Sequence, residues 1–447
     1  MRNGCPLGRE SQRIFKDMLV CWVYQIFLIA LLFSVSSSKF VGPGFMFNAD
    51  CGWWLRSAAG LPTELWGSRF AKHPILTPLV TGMGYFASFV ERISSCIYAP
   101  YAAMALFLLL LHLAIAVLLS MVWNTFQRLS DLRSERIRLF LPIVGLSSVA
   151  FLVALPESFG IAMALLLTCW TMVFSAVCRN VNISRSRIIA AAFVCGGCTT
   201  TNALAPIVNG VITKGGLSPD GKSVKWEGGR FNRWVATLTF AFIGSLLILG
   251  ICCYHTVNIR EVVQGFLPSA LKEPLGYFNF RLVRDPIKGM LYSLWGTVAP
   301  VIPPIPTFRL FGLTRGLTYE PVSFRQFSLF QWPGILAWWT VIAHGICSRW
   351  ERHERFLTIS CFAWLIWNLV FHNLWGDEFF LFSPHWVWCL WLLFGMGFRK
   401  LKSRIVPVVA ACIILAQVIG WVSLLRAANI AAGGNAPINK LLADLDQ

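Results

Sequence analysis

The chain has 447 residues, of which 56% are hydrophobic and 13% charged, and its mean hydropathy is +0.64. A soluble globular protein carries roughly twice that share of charge, which excludes a water-soluble domain and predicts an all-α, polytopic transmembrane bundle. At roughly 20 residues per span plus loops, about ten to twelve spans fit. Lys and Arg outnumber Asp and Glu 38 to 20, for a net charge of +18. In a membrane protein such an excess marks cytoplasmic loops, not nucleic-acid binding, and no zinc-finger spacing or solvated basic tail points to a nucleic-acid partner.

The N-terminus, residues 1–17, holds Arg2, Arg9, Arg13 and Lys16 against Glu10 and Asp17 and is expected to stay in the cytoplasm. A first span near Met18 to Ser36 is read as retained and not cleaved. It delivers an outer loop, residues 39–74, whose middle reads as an amphipathic helix lying in the interface. Trp53, Trp54, Leu55, Leu61, Leu65 and Trp66 form its apolar faces, and Arg56, Glu64 and Arg69 its polar one. The next basic loop, Arg128 to Arg138, belongs inside, so an odd number of crossings must separate it from Lys72. Ile75 to about Val90 is therefore expected to lie along the interface or re-enter, and only Tyr101 to Val122 to cross.

Leu139 to Leu155 is expected to cross outward, residues 155–158 to form a tight outer turn at Pro156-Glu157-Ser158, and Phe159 to Val177 to return. Arg179, Arg185 and Arg187 follow without an acid. The span Ile188 to Val208 carries a polar step, Thr199-Thr200-Thr201-Asn202. Its hydroxyls either bond the preceding carbonyls and neighbouring helices or line a cavity. Cys195-Gly-Gly-Cys198 has redox spacing, but within a span and without a βαβ context it reads as small packing residues.

Residues 213–233 are loop-like, a span follows at Trp234 to Tyr254, and His255 to Gln331 is hard to read beyond a short apolar stretch near Met290 to Val301. The pattern then regularises: a span at Trp332 to Ile346, a basic loop at Arg349 to Arg355, and a span at Phe356 to Val370. An aromatic polar loop follows over residues 371–386, then a short span at Val387 to Phe398, the basic run Arg399 to Arg404, a last span to Leu425 and a tail, residues 427–447. Basic loops on both sides place residues 371–386 on the outer face, with residues 39–74. No internal repeat, dinucleotide or phosphate-loop glycine pattern, or nucleophile elbow is present, so ATP-driven chemistry is unsupported.

Chemistry is expected where acids face outward at the membrane edge. Asp50 either caps the interfacial helix or, desolvated among aromatic residues, acts as a base with a raised pKa. Lys72 and His73, beside Pro74, either bind a phosphate or anchor the loop at the interface. His372, Asp377, Glu378 and His385 sit among Phe and Trp, including Trp375 and Trp386. They form either a binding site or an outer loop of mutually bonded polar groups. A divalent metal is compatible with this set, but no metal-ligand spacing supports one.

An outer loop that opens on Asn48-Ala49-Asp50, runs through an amphipathic helix and closes on Lys72-His73-Pro74-Ile75-Leu76 resembles the integral-membrane glycosyltransferases of the GT-C fold. These are the bacterial relatives of protein mannosyltransferases and of the lipid A aminoarabinose transferase. The likeness covers about 200 N-terminal residues of the chain. It implies an inverting enzyme in a bacterial inner membrane, its site facing the periplasm. Such an enzyme moves a sugar from a polyprenyl-phosphate donor to a lipid-linked glycan, lipid or protein acceptor.

By the resemblance Asp50 is the general base, and Lys72 and His73, with Arg56 and Arg69, neutralise the departing phosphate. Glu64, Glu157, His372, Trp375, Asp377, Glu378 and His385 shape the sugar or acceptor pocket. The second acid common in the family is replaced here by Gly52, so no cofactor is required. The competing class, a transporter or flippase for a lipid-linked saccharide, calls for inverted repeats, broken helices and mid-membrane charge, none of which the sequence displays.

Overall fold

The computed structural model describes Trp54, Ala58, His73, two residues of the first apolar stretch, and most of 75–213, 286–301, 309–314, 323–348, 351–375 and 380–433. Among these residues the regular structure is helical apart from a two-residue antiparallel pair, β1 (Arg309–Leu310) with β2 (Leu313–Thr314). Four helices are long and apolar enough to cross a membrane, over Ala102–Val122, Ser158–Cys178, His353–His372 and Val406–Leu424. The first two fall on α2 (Ala99–Ser130) and α5 (Ser158–Cys178), the last two on α10 (Arg352–Trp375) and α12 (Val406–Gly433). Helix α12 runs on past the expected end of the last span at Leu425.

Before them lies α1 (Leu76–Ser94), an amphipathic helix packed on α2. Its outer face leaves Leu79, Tyr85, Phe86, Phe89 and Ile93 exposed. It is not among the four spans.

Helices α5, α6 (Arg185–Cys198) and α10 form a group whose directions follow from their side-chain pairs. The Cys169 and Cys195 sulfurs are 3.3 Å apart and Cys198 Sγ reaches to within 4.0 Å of the Ser158 carbonyl, so α6 runs antiparallel to α5. On the other flank Trp170 Nε1 donates to Ser360 Oγ (3.0 Å), and the Phe174 and His353 rings meet edge-on at 6.1 Å. Helix α10 therefore also runs antiparallel to α5. The start of α5 and the ends of α6 and α10 thus share one end of the bundle.

The opposite end is basic. Glu354, 2% exposed, accepts from Arg399 (2.5 Å) and Lys400 (3.0 Å) and from the Glu351 backbone N–H (3.0 Å). This ties the start of α10 to the end of α11 (Val387–Lys400). Charge-assisted bonds of this kind are about twice as strong as neutral ones, and they hold the helices where basic residues of a membrane protein gather.

Helix α11 is the axis of the bundle. Its residues from Val387 to Phe398 are all buried, as expected of a helix that is apolar all round. It packs on α9 (Trp332–Cys347), where Trp338 stacks on Phe394 at 4.1 Å. Glycine makes that approach possible. A Cβ on Gly397 would stand 1.9 Å from the Val341 carbonyl oxygen, and one on Gly345 2.8 Å from the Gly397 backbone. Small residues at helix crossings serve this purpose in membranes, where packing replaces hydrophobic drive. At 14 and 16 residues, α11 and α9 are roughly 21 and 24 Å long, too short to cross unaided.

Two expected spans are broken. Leu139 to Leu155 divides into α3 (Ser134–Gly145), with Pro142 inside it, and α4 (Val149–Ala154). Ile188 to Val208 divides at a 3₁₀ turn, Thr200–Ala203, before α7 (Leu204–Val211). Carbonyls freed at the first break find side chains. Gln417, buried in α12, donates to the carbonyls of Ile143 (2.6 Å) and Val298 (3.0 Å), and Trp421 to that of Leu146 (2.7 Å). Ser148 bonds the carbonyl of Gly296, the last residue of α8 (Pro286–Gly296). Gln331 donates to Pro300 (2.8 Å) and Ala416 (3.2 Å). Irregular backbone at membrane depth requires such partners.

Candidate functional site

Polar side chains collect at the end of the bundle away from Glu354. The segment Cys198–Asn202 lies at their centre and receives a contact from each of the two regions that the sequence marks as outer loops. From the first, His73 is buried and donates through Nδ1 to the Cys198 carbonyl at 2.7 Å, with Thr199 Oγ1 at 3.5 Å and the Trp54 ring edge-on at 5.4 Å. Donation to a carbonyl fixes the proton on Nδ1. Two residues on, the Ile75 N–H donates to the Gly197 carbonyl at 2.8 Å. A Cβ on Gly197 would lie 2.0 Å from Ile75 Cδ1, so glycine lets the two strands of chain touch.

From the second region, His385 bonds Asn202 through Nδ1 and Oδ1 at 2.9 Å. His385 sits on the 3₁₀ turn Ser383–His385, and this turn reaches into the bundle. The indoles of Trp364 and Trp388 both donate to the His385 carbonyl, at 2.8 and 2.9 Å. Trp364 is eight residues before His372 on α10, about 12 Å along the helix axis. The turn therefore packs against α10 within the bundle, and α11, starting from it at Val387, is both short and wholly buried. Burial alone pushes the His385 imidazole down to about 4, so at neutral pH it is uncharged, and Nδ1–H donates to the Asn202 carbonyl oxygen.

Aromatic rings close the set. Phe159, second residue of α5, meets His385 at 6.0 Å and Phe382 at 6.4 Å, both edge-on. His372, at the end of α10, stacks on Phe382 at 4.4 Å and stands 6.0 Å from His385. The expected site residues His73, His372 and His385 are thus brought to one end, the first through Cys198 and the others through Asn202 and Phe382. Trp375 is the last residue of α10. Asp50, Arg56, Glu64, Arg69, Lys72, Glu157, Asp377 and Glu378 lie outside the described residues. Among the described residues no three His, Cys, Asp or Glu side chains form a metal-binding group.

Ser158 and Ser383 also belong to the patch, both buried, and neither carries a signal in the sequence beyond a nearby proline, Pro156 two residues before the one and Pro384 directly after the other. Asn202 is legible as a polar step in an apolar run, but its partner, 183 residues away, is not. Comparison with known proteins identifies no relative: no family model matches the chain, no curated protein matches it, and no solved structure matches it.

Proposed function

We propose that the protein is a membrane glycosyltransferase that moves a sugar from a polyprenyl-phosphate donor to a lipid-linked glycan, lipid or protein acceptor. The observation that carries this reading is the convergence of His73 and His385 on the single segment Cys198–Asn202. These contacts support a site built from the end of the first outer loop and the late outer loop. In this reading the bundle has about ten to twelve spans, the basic end is cytoplasmic, and the site faces the periplasm of a bacterial inner membrane. Asp50 deprotonates the acceptor hydroxyl for in-line attack on the anomeric carbon, and Lys72, with His73 when protonated, neutralises the departing phosphate.

Asp50→Asn tests it. In membranes matched for protein level, the variant is expected to lose one glycolipid or glycan product and to accumulate the unglycosylated acceptor. An unchanged profile would remove Asp50 as the base.

A second reading, transport of a lipid-linked saccharide, draws on the broken helices at 146–148 and 199–203, since transporters place substrates at such breaks. The histidine cluster distinguishes the two less well than the product does. A transporter leaves the saccharide unchanged, and Asp50→Asn then produces no new acceptor pool.

A further inference from the structure

Buried polar groups without a partner are rare in folded proteins, and each calls for an explanation. Three of them fall in the patch just described: Ser158 Oγ, Ser383 Oγ and the Asn202 Nδ2 group have no hydrogen-bond partner, and the three residues are at most 1% exposed. They come from three separate elements, the start of α5 and the turns Thr200–Ala203 and Ser383–His385, yet each adjoins one of three rings that meet: Ser158 precedes Phe159, Ser383 follows Phe382, and Asn202 bonds His385. Chance misfits of packing would scatter, whereas these share a site.

We infer that Ser158, Ser383 and Asn202 hydrogen-bond the hydroxyl groups of an uncharged sugar, the glycosyl group of the donor, with Phe159 and Phe382 against its apolar C–H face. This rests on the glycosyltransferase reading above and deepens it by naming the recognition residues and the substrate class. A hydroxyl both donates and accepts, which suits two serines and an amide N–H₂ together. An ionic ligand suits them poorly. The described polar groups of the patch are uncharged, which suits a hydroxyl better than a charged group. The phosphate of the donor belongs instead with Lys72 and His73.

The test uses the purified full chain with two lipid probes, bare polyprenyl phosphate and polyprenyl-phosphate glucose, read by thermal unfolding and by titration. Ser158→Ala and Ser383→Ala remove hydroxyls that no protein group bonds. Without lipid both variants are expected to unfold at the wild-type temperature or above it, because a buried orphan group is deleted. Each is expected to bind the glucosylated lipid roughly tenfold more weakly, the equivalent of one hydrogen bond, and bare polyprenyl phosphate as wild type does. If the variants bind the glucosylated lipid as tightly as wild type, the assignment is wrong while the glycosyltransferase reading stands. If wild type binds neither lipid, both fall together. A polyprenyl-phosphate amino sugar bound as tightly as the glucosylated lipid would overturn the uncharged class.

Discussion

His385 is fixed on several sides at once: its ring donates to Asn202, and its carbonyl accepts from the indoles of Trp364 and Trp388. Protonating it would place a charge in a site with no carboxylate among its described contacts, which is why burial holds its pKa near 4, below the value of about 6.5 of an unfolded chain. The lowered pKa means that the unfolded state binds the extra proton first as pH falls. The stability contributed by neutral His385 is complete above pH about 6.5, declines from there, and is lost by pH about 4. The whole change is on the order of 3 kcal/mol. The melting temperature of the purified protein is therefore expected to drop across that window, and in His385→Gln, whose amide does not titrate, the drop should be visibly shallower. Equal slopes for the two proteins would show that His385 does not titrate in the fold as described.

Helices α10 and α11 form a hairpin held at both ends, by His385 and its indoles at one and by Glu354 with Arg399 and Lys400 at the other. The carboxylate is nearly fully buried while its partners are partly exposed, so the exposure of the cations tempers its contribution. Glu354→Gln keeps the shape and removes the charge. It is expected to destabilise the protein by roughly 2 kcal/mol, between the values for surface and buried pairs, as measured by thermal or denaturant unfolding. A loss within error would mean that solvent screens the pair. The sequence shows Glu354 only as one acid in a basic loop, because nothing local says that the chain returns there 45 residues later. The apolar runs of α2, α5, α10 and α12, by contrast, are legible to within a few residues, since length and hydropathy alone define a span. What local pattern does not reveal is where such a run breaks. Leu139 to Leu155 reads as one helix, and its division at residues 146–148 depends on Gln417 and Trp421 of a distant helix being there to donate to its freed carbonyls.

At the scale of the molecule the bundle is polarised. Polar but uncharged groups (Ser158, Asn202, Ser383, His385) gather at one end, and Arg179, Arg185, Arg187, Arg399, Lys400, Lys402 and Arg404 follow from helices that end or begin at the other. The turns that follow α6 and precede α11 meet inside the bundle through Asn202 and His385. The proposed orientation follows the positive-inside rule, with the arginine- and lysine-rich end in the cytoplasm and the histidine end outside. Lys402 and Arg404 are exposed in the short connection between α11 and α12, so they report that orientation directly. In sealed vesicles trypsin is expected to cut after Lys402 or Arg404 when the cytoplasmic face is outward, and to spare both when it is inward. Lys402→Gln with Arg404→Gln should abolish that fragment. Cleavage at this connection in vesicles with the cytoplasmic face inward would invert the molecule and place His73, Asn202 and His385 towards the cytoplasm. A polyprenyl-phosphate donor used on the periplasmic side would then be out of reach, and the proposed function would fail on topology alone.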